Sequence, residues 1–121
     1  LTFSIGAGNY LVSIRHRNHL GIITTQAFSF SKTTVNQLNF SNGSIAVAGS
    51  NPMVLVQGQQ CLWSGDADGS GVVDAADRSD TWNGRNQQGY DLTDCNLDGV
   101  TDAADRSTTW NHRNLISNIP K

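Results

Sequence analysis

Along residues 1–60 apolar and polar positions alternate wherever a run is long enough to judge, which is the period of a half-buried strand. Tyr10, Val12 and Ile14 fall on one side of such a run, with Leu11, Ser13 and Arg15 on the other. Phe28 with Phe30, and Ile45 with Val47, repeat the pattern. Four breaks read as turns by composition: Gly6-Ala7-Gly8-Asn9, Asn18-His19-Leu20-Gly21, Asn42-Gly43-Ser44 and Gly49-Ser50-Asn51-Pro52. The pattern predicts about five or six strands in an antiparallel sheet or part of a sandwich. Sixty residues are too few to close two sheets, so the open edges are expected to be completed by upstream sequence or a neighbouring chain.

Beyond Gln57-Gly58-Gln59-Gln60 the composition shifts to Asp, Ala, Asn and Arg, which divides the chain near Cys61 into a β-rich part, residues 1–60, and a second part, residues 61–121. The period of the pattern changes with it. Ala75, Ser79 and Trp82 stand at i, i+4 and i+7, and Ala103, Ser107 and Trp110 repeat the spacing. This predicts short helices over residues 75–83 and 103–111, packed closely through their small residues with each indole against the other repeat. The fold class is therefore α+β.

The two helices belong to a duplication. Residues 74–86 and 102–114 agree at eleven of thirteen positions. Ahead of each helix lies a loop of alternating oxygen-bearing residues. Asp66, Asp68, Ser70, Asp74 and Asp77 occupy positions 1, 3, 5, 9 and 12 of the first, with Gly71 at 6 and the Val72 carbonyl at 7. Asp94, Asn96, Asp98, Asp102 and Asp105 occupy the same positions of the second, with Gly99 at 6 and the Val100 carbonyl at 7. That spacing suits two Ca²⁺, one per loop, since calcium takes six to eight oxygens while magnesium demands a tight octahedron and retains waters. The alternative reading of Asp77 and Asp105 is a first-turn carboxylate at the positive end of a helix, which accounts for one acid per repeat rather than four.

Composition sharpens this reading. All ten acids are Asp, and eight of them lie in the two loops. Residues 1–60 hold Arg15, Arg17 and Lys32 and no acid, so the net charge of −2 hides a polarised chain. Two bound Ca²⁺ bring the total to about +2. A balance this small gives no electrostatic case for nucleic acid, and no apolar run is long enough to span a membrane. Cys61 and Cys95 are expected to form a disulfide closing roughly 34 residues, worth about 3.5–4 kcal/mol and implying an oxidising compartment. The other reading of the pair is two independent thiols.

The paired loops, each entering a helix with none before it, resemble the dockerin module of bacterial cellulosomes and related surface complexes over about residues 64–114. The resemblance implies two calcium ions, two loop-helix units related by an approximate twofold axis, and docking of the helices on a cohesin partner. Ser70 departs from the family's usual Asp or Asn at position 5, which implies a weaker first site. The family's partner-reading positions do not carry over; instead Trp82 with Arg85, and Trp110 with Arg113, form an exposed tail after each helix and are the candidate partner contacts. The stretch Ser13-Ile14-Arg15-His16-Arg17-Asn18-His19-Leu20-Gly21 resembles a β segment of secreted multidomain surface proteins that carry such repeats at their C-termini. That resemblance implies that Lys121 is near the natural end of a longer precursor, and the start at Leu1-Thr2-Phe3 without Met reads as a fragment or processed product.

The remaining candidates have ordinary explanations. His16 and His19 beside Arg15 and Arg17 read as a polar strand edge rather than a zinc or catalytic cluster. Asn39-Phe40-Ser41 and Asn42-Gly43-Ser44 fit the N-glycosylation pattern in a region where Ser and Asn are abundant. Arg78 and Arg106 are placed to tether ligand carboxylates or to stack on the indoles, and read equally as ordinary solvated helix arginines. With the Asp residues assigned to metal, no catalytic constellation is left. The expected function is a non-enzymatic, extracellular or bacterial cell-surface module in which calcium-stabilised folding supports protein assembly, as a homo-oligomer or filament or in a multiprotein complex. The alternatives are a dockerin that anchors an enzyme on a cohesin-like partner, and a carbohydrate-binding module.

Overall fold

A computed structural model describes residues 6–33 and 35–120; Leu1 and Lys121, on which the reading of the chain's start and end falls, lie outside them. The class is α+β, with strands β1 (Gly8–Tyr10), β2 (Ser13–His16), β3 (His19–Ile23), β4 (Phe28–Phe30), β5 (Met53–Val56) and β6 (Gln59–Leu62), then helices α1 (Ala75–Asn83) and α2 (Ala103–Asn111). The strands do not build a sandwich. They form three two-stranded antiparallel ribbons, β1 with β4, β2 with β3, and β5 with β6. With three to five residues per strand, and Leu20 and Ile22 as the buried aliphatics of this half among the described residues, there is little apolar surface to join them into one sheet.

Two turn assignments shift. Gly8 and Asn9 lie inside β1, and only Arg17-Asn18 forms the turn before β3, because His19, Leu20 and Gly21 continue as strand. The segment read as a boundary, residues 57–60, is the tip of a hairpin: Gln57 (φ 49°) and Gly58 (φ 81°) are both left-handed, the conformation of a tight two-residue connection whose twist matches the flanking strands. The compositional change at Cys61 therefore falls within β6. Val12 and Ile14 are half-buried between exposed neighbours, as their alternation requires, while Tyr10 is exposed. Ile45 and Val47 alternate too, but residues 46–48 pair with β3 only as a short bridge, through Thr25 N to Ala46 O at 3.1 Å and Ala48 N to Ile23 O at 2.9 Å.

Strand β3 joins the two halves. Its Leu20 N donates to Trp63 O at 2.8 Å, and Gly65 N donates to Asn18 O at 3.0 Å. Asn18 is wholly buried; its Nδ2 donates to Asp94 O at 2.6 Å and its Oδ1 meets His19 Nδ1 at 2.8 Å. Arg17 Nε donates to Asp91 O at 3.2 Å, and Ser117 Oγ to Gly21 O at 2.7 Å. Thus the β2–β3 turn is fastened to the start of the second loop, and β3 itself to the C-terminal tail.

Both helices form over the residues that the spacing predicts, but their buried face differs. Ala75, Ser79, Trp82, Ala103, Ser107 and Trp110 are exposed; Asp77 with Thr81, and Asp105 with Thr109, are fully buried. The polar stripe turns inward because its needs are met there: Thr81 Oγ1 donates to Arg78 O at 3.0 Å and Thr109 Oγ1 to Arg106 O at 2.9 Å, while backbone amides serve the carboxylates. Replacing Asn18 with Ala should strip the side-chain donor from Asp94 O and Asp91 O and leave a void, lowering stability by about 2–3 kcal/mol in urea unfolding. A change below about 0.5 kcal/mol would show that this turn does not fasten the two halves.

Candidate metal centre

Each loop folds around its own first and last carboxylates. Asp66 at position 1 accepts from Gly71 N, with the nearer oxygen at 3.1 Å, and Asp94 accepts from Gly99 N at 3.0 Å. Gly71 (φ 84°) and Gly99 (φ 90°) supply the left-handed backbone that turns this amide inward. At position 12, Asp77 receives Asp68 N at 3.1 Å and Asp74 N at 2.8 Å. Its twin Asp105 receives Cys95 N at 2.8 Å, Asn96 N at 3.0 Å and Asp102 N at 2.8 Å. At position 9, Asp74 and Asp102 cap their helices, each accepting from the amide two residues on at 2.6 Å. The helix-cap reading thus holds for positions 9 and 12, which form a reciprocal capping box with Asp in place of the usual Glu. Capping leaves positions 1 and 3 unexplained.

The middle positions are exposed and held by local turns. Asp68 Oδ1 accepts from Ser70 N at 2.8 Å, and Asn96 Oδ1 from Asp98 N at 3.0 Å. Ser70 Oγ donates to the Val72 carbonyl at 3.1 Å, whereas Asp98 Oδ1 accepts from Val100 N at 2.9 Å. In the first loop, oxygens of Asp66, Asp68 and Asp77 all lie within 4.8 Å of one another, an arrangement that could hold a metal ion. In the second, position 3 is the neutral Asn96, and no such carboxylate trio forms among the described residues.

Burial tests whether these residues fit a cation. Asp77, Asp94 and Asp105 are fully buried and Asp66 nearly so, yet none forms an ion pair among the described residues. Backbone amides satisfy their hydrogen bonding but leave the charge uncompensated, and a buried unpaired carboxylate is costly. Burial pushes the Asp77 carboxyl from 3.8 up to about 6, over the opposing pull of the Asp74 and Asp68 amides, and raises Asp66 in the same direction for the same reason. The all-oxygen donor set and the uncompensated charge fit a hard divalent cation.

The two units interlock, a feature that the repeat's sequence does not reveal. The tail after α1 pairs with the second loop through Asn86 N to Thr101 O, Thr101 N to Gln87 O and Gly89 N to Gly99 O, at 2.9, 2.9 and 2.8 Å. The tail after α2 pairs with the first loop through Asn114 N to Val73 O, Val73 N to Leu115 O and Ser117 N to Gly71 O, at 2.8, 2.9 and 2.8 Å. These are the same three bonds displaced by the repeat offset. Val72 and Val100 sit at the centres of the resulting bridges, opposite Ile116 and Gln88.

Cys61 and Cys95 are free thiols. Cys61 is half-buried in β6, where it pairs with Val54, while Cys95 is buried with its amide on Asp105; burial and then the neighbouring Asp105 charge push its thiol up to about 12. The expected disulfide is therefore absent, and with it the argument for an oxidising compartment. The candidate partner residues pair within each unit: Arg85 lies 4.5 Å from the Trp82 ring centre and Arg113 4.5 Å from that of Trp110. Arg78 and Arg106, instead of tethering ligand carboxylates, reach across to the opposite repeat, Arg78 over Trp110 at 4.5 Å and Arg106 over Trp82 at 4.9 Å. His19 is held by Asn18 and meets the His16 ring edge-to-face, 4.5 Å between centroids; its pKa is lowered to about 4 by burial and then by the His16, Arg17 and His112 charges, which leaves it neutral. No helix among the described residues is long and apolar enough to cross a membrane.

No protein-family model, curated protein or solved structure matches this chain. Because the folded pKa of Asp77 is raised, its contribution to metal-free stability is fully present below 3.8 and is lost as pH rises through about 6. In EDTA, therefore, the wild type should lose stability relative to Asp77→Asn between pH 4 and 7, a difference that paired urea titrations at each pH measure. A constant difference across that range would refute the burial argument.

Proposed function

We propose that this chain is a calcium-binding, non-enzymatic structural module of the extracellular space or a bacterial cell surface, in which two Ca²⁺ order the paired loops and the ordered module supports protein–protein assembly. The observation that carries the reading is the burial of Asp66, Asp77, Asp94 and Asp105 without a counter-charge. In the first loop Asp66, Asp68, Asp77, the Asp74 carboxylate and the Val72 carbonyl would hold one ion, with Ser70 as the weak member. In the second, Asp94, Asn96, Asp98, Asp102, Asp105 and the Val100 carbonyl would hold the other. Bound calcium supplies charge compensation; the carboxylates supply the loop geometry, and the chain-wide consequence is metal-coupled folding. Sites of this extracellular type have dissociation constants of about 10⁻⁴–10⁻³ M, which is why the reading places the module where calcium is millimolar.

The dockerin-like reading, with a cohesin-like partner, is favoured by the exposed indoles and guanidinium groups on the paired helices. A carbohydrate platform has less support, because each exposed indole of the repeat already carries two guanidinium groups over its ring.

Calorimetry should give calcium heat with a stoichiometry of two, falling to one in Asp66→Asn and in Asp94→Asn. At a tenfold excess over Kd each site should add about 1.4 kcal/mol of stability, which EDTA removes. Absence of calcium heat together with a thermal midpoint indifferent to EDTA would overturn the proposal.

A further inference from the structure

We propose that the arginine and tryptophan face of the paired helices is the docking surface for an acidic peptide segment of a partner protein, whose carboxylates seat on the guanidinium groups of Arg78 and Arg106. The inference rests on the reading of the chain as an assembly module, and it names the surface and the chemistry of what that surface receives.

Three observations carry it. First, Arg78, Arg85, Arg106 and Arg113 converge on two indoles, and none of the four forms an ion pair among the described residues. Second, the four are not equivalent. Arg85 and Arg113 spend a donor on their own helix ends, Nη1 to Trp82 O at 2.9 Å and Nη1 to Trp110 O at 2.8 Å. Arg78 and Arg106 make no side-chain hydrogen bond among the described residues, and the Nε of Arg106 is buried there without an acceptor. The solvent-facing Nη groups of the two guanidinium groups are the donors left for an incoming carboxylate. Third, these two side chains line a shallow groove of about 200 Å³ with Trp82, Ala103, Ser107 and Trp110, in which the two indoles remain 48% and 42% exposed.

The stacking also fixes the geometry. A guanidinium held 4.5–4.9 Å over an indole is already restricted, so less side-chain entropy is lost when its fork receives a carboxylate. Charge complementarity selects an anion, and the surroundings select its kind. The acids of the repeat are concentrated in the loops at the helix N-termini, so a long polyanion extending beyond the groove meets Asp68, Asp74, Asp98 and Asp102, all exposed. A short segment bearing two carboxylates, with apolar or neutral residues between them for the indoles, avoids that repulsion.

The test uses the full chain in millimolar calcium and a short synthetic peptide bearing two Asp or Glu residues separated by apolar or neutral ones, against the same peptide carrying Asn or Gln in their place. Titration calorimetry and tryptophan fluorescence should show binding of the acidic peptide and at least tenfold weaker binding of the neutral one. Arg78→Gln and Arg106→Gln should each weaken it about tenfold, the scale of one charge-assisted hydrogen bond. Arg106→Lys, which keeps the charge but not the fork, should fall between wild type and Arg106→Gln. Calcium stoichiometry measured on each variant reports that the module is still folded; should a variant fail this, the comparison of acidic with neutral peptide on the wild type still decides. Equal affinity for the two peptides, unchanged affinity in both folded Gln variants, or equal affinity for an oligophosphate at the same salt would overturn the inference. Calcium heat without peptide binding sinks this proposal alone, whereas peptide binding without calcium heat sinks the calcium reading and leaves the surface standing.

Discussion

The position-12 carboxylate is the interaction on which the repeat half depends. Asp77 and Asp105 each tie the start of a loop to the start of a helix through backbone amides on both sides. Neither is exposed, and the other buried residues of this half mix Thr81, Thr101 and Thr109 with only Ala67, Val73 and Cys95 as apolar members among the described residues. A centre built this way is organised by hydrogen bonds whose direction is fixed, and it defines one arrangement of the loops. Its weakness is electrostatic, since the groups that give the loops their shape are those that resist burial when ionised. Shape and stability are thereby separated: the chain encodes the former, and a cation is proposed to supply the latter.

The repeat was legible in the sequence because its chemistry is local. Helix bounds, capping carboxylates and position-6 glycines all follow from residues within one loop and one turn. The buried face of each helix was not legible, because hydrophobic periodicity assigns the interior to Ala and Trp. Here Asp77 and Thr81 turn inward because hydrogen-bond partners meet them there, and the indoles stay outside under guanidinium groups supplied partly by the other repeat. The β half was legible as strands but not as an architecture. Its alternation located Val12, Ile14, Phe28 and Phe30, yet whether short strands merge into one sheet depends on the apolar surface available between them. Asn18 shows the limit most plainly: read from sequence it is a turn residue, and its partners at Asp91 and Asp94 lie far along the chain.

The departures within the duplication are instructive for the same reason. Of thirteen positions two differ, and one of these pairs is Gly84 against His112. At Gly84 a Cβ would lie 2.6 Å from Thr93 Oγ1, so the helix end there has no room for a side chain. At the equivalent end of α2 the Thr is replaced by Gly65, and His112 occupies the space, meeting Ser64 O at 2.8 Å and the Trp63 ring at 4.9 Å. The substitution in the helix is matched by the opposite substitution before the loop, and the result gives the second unit a side chain with which to hold the β half. At this helix end the asymmetry follows the difference in what the two units pack against.

The crossed pairing of loops and tails has a consequence for how such a fold comes to exist. A single unit contains a loop lacking a tail and a tail lacking a loop, so it is half of a closed structure. Two separate copies would complete each other about a twofold axis using the bonds already described, which is the self-complementary logic of an isologous dimer. Joining the copies in one chain turns that encounter into an intramolecular closure and removes its dependence on concentration. Once joined, the copies no longer have to be identical, and the chain is free to assign one helix end to Thr93 and the other to Trp63. Fusion is what allows a symmetric clasp to acquire a front and a back.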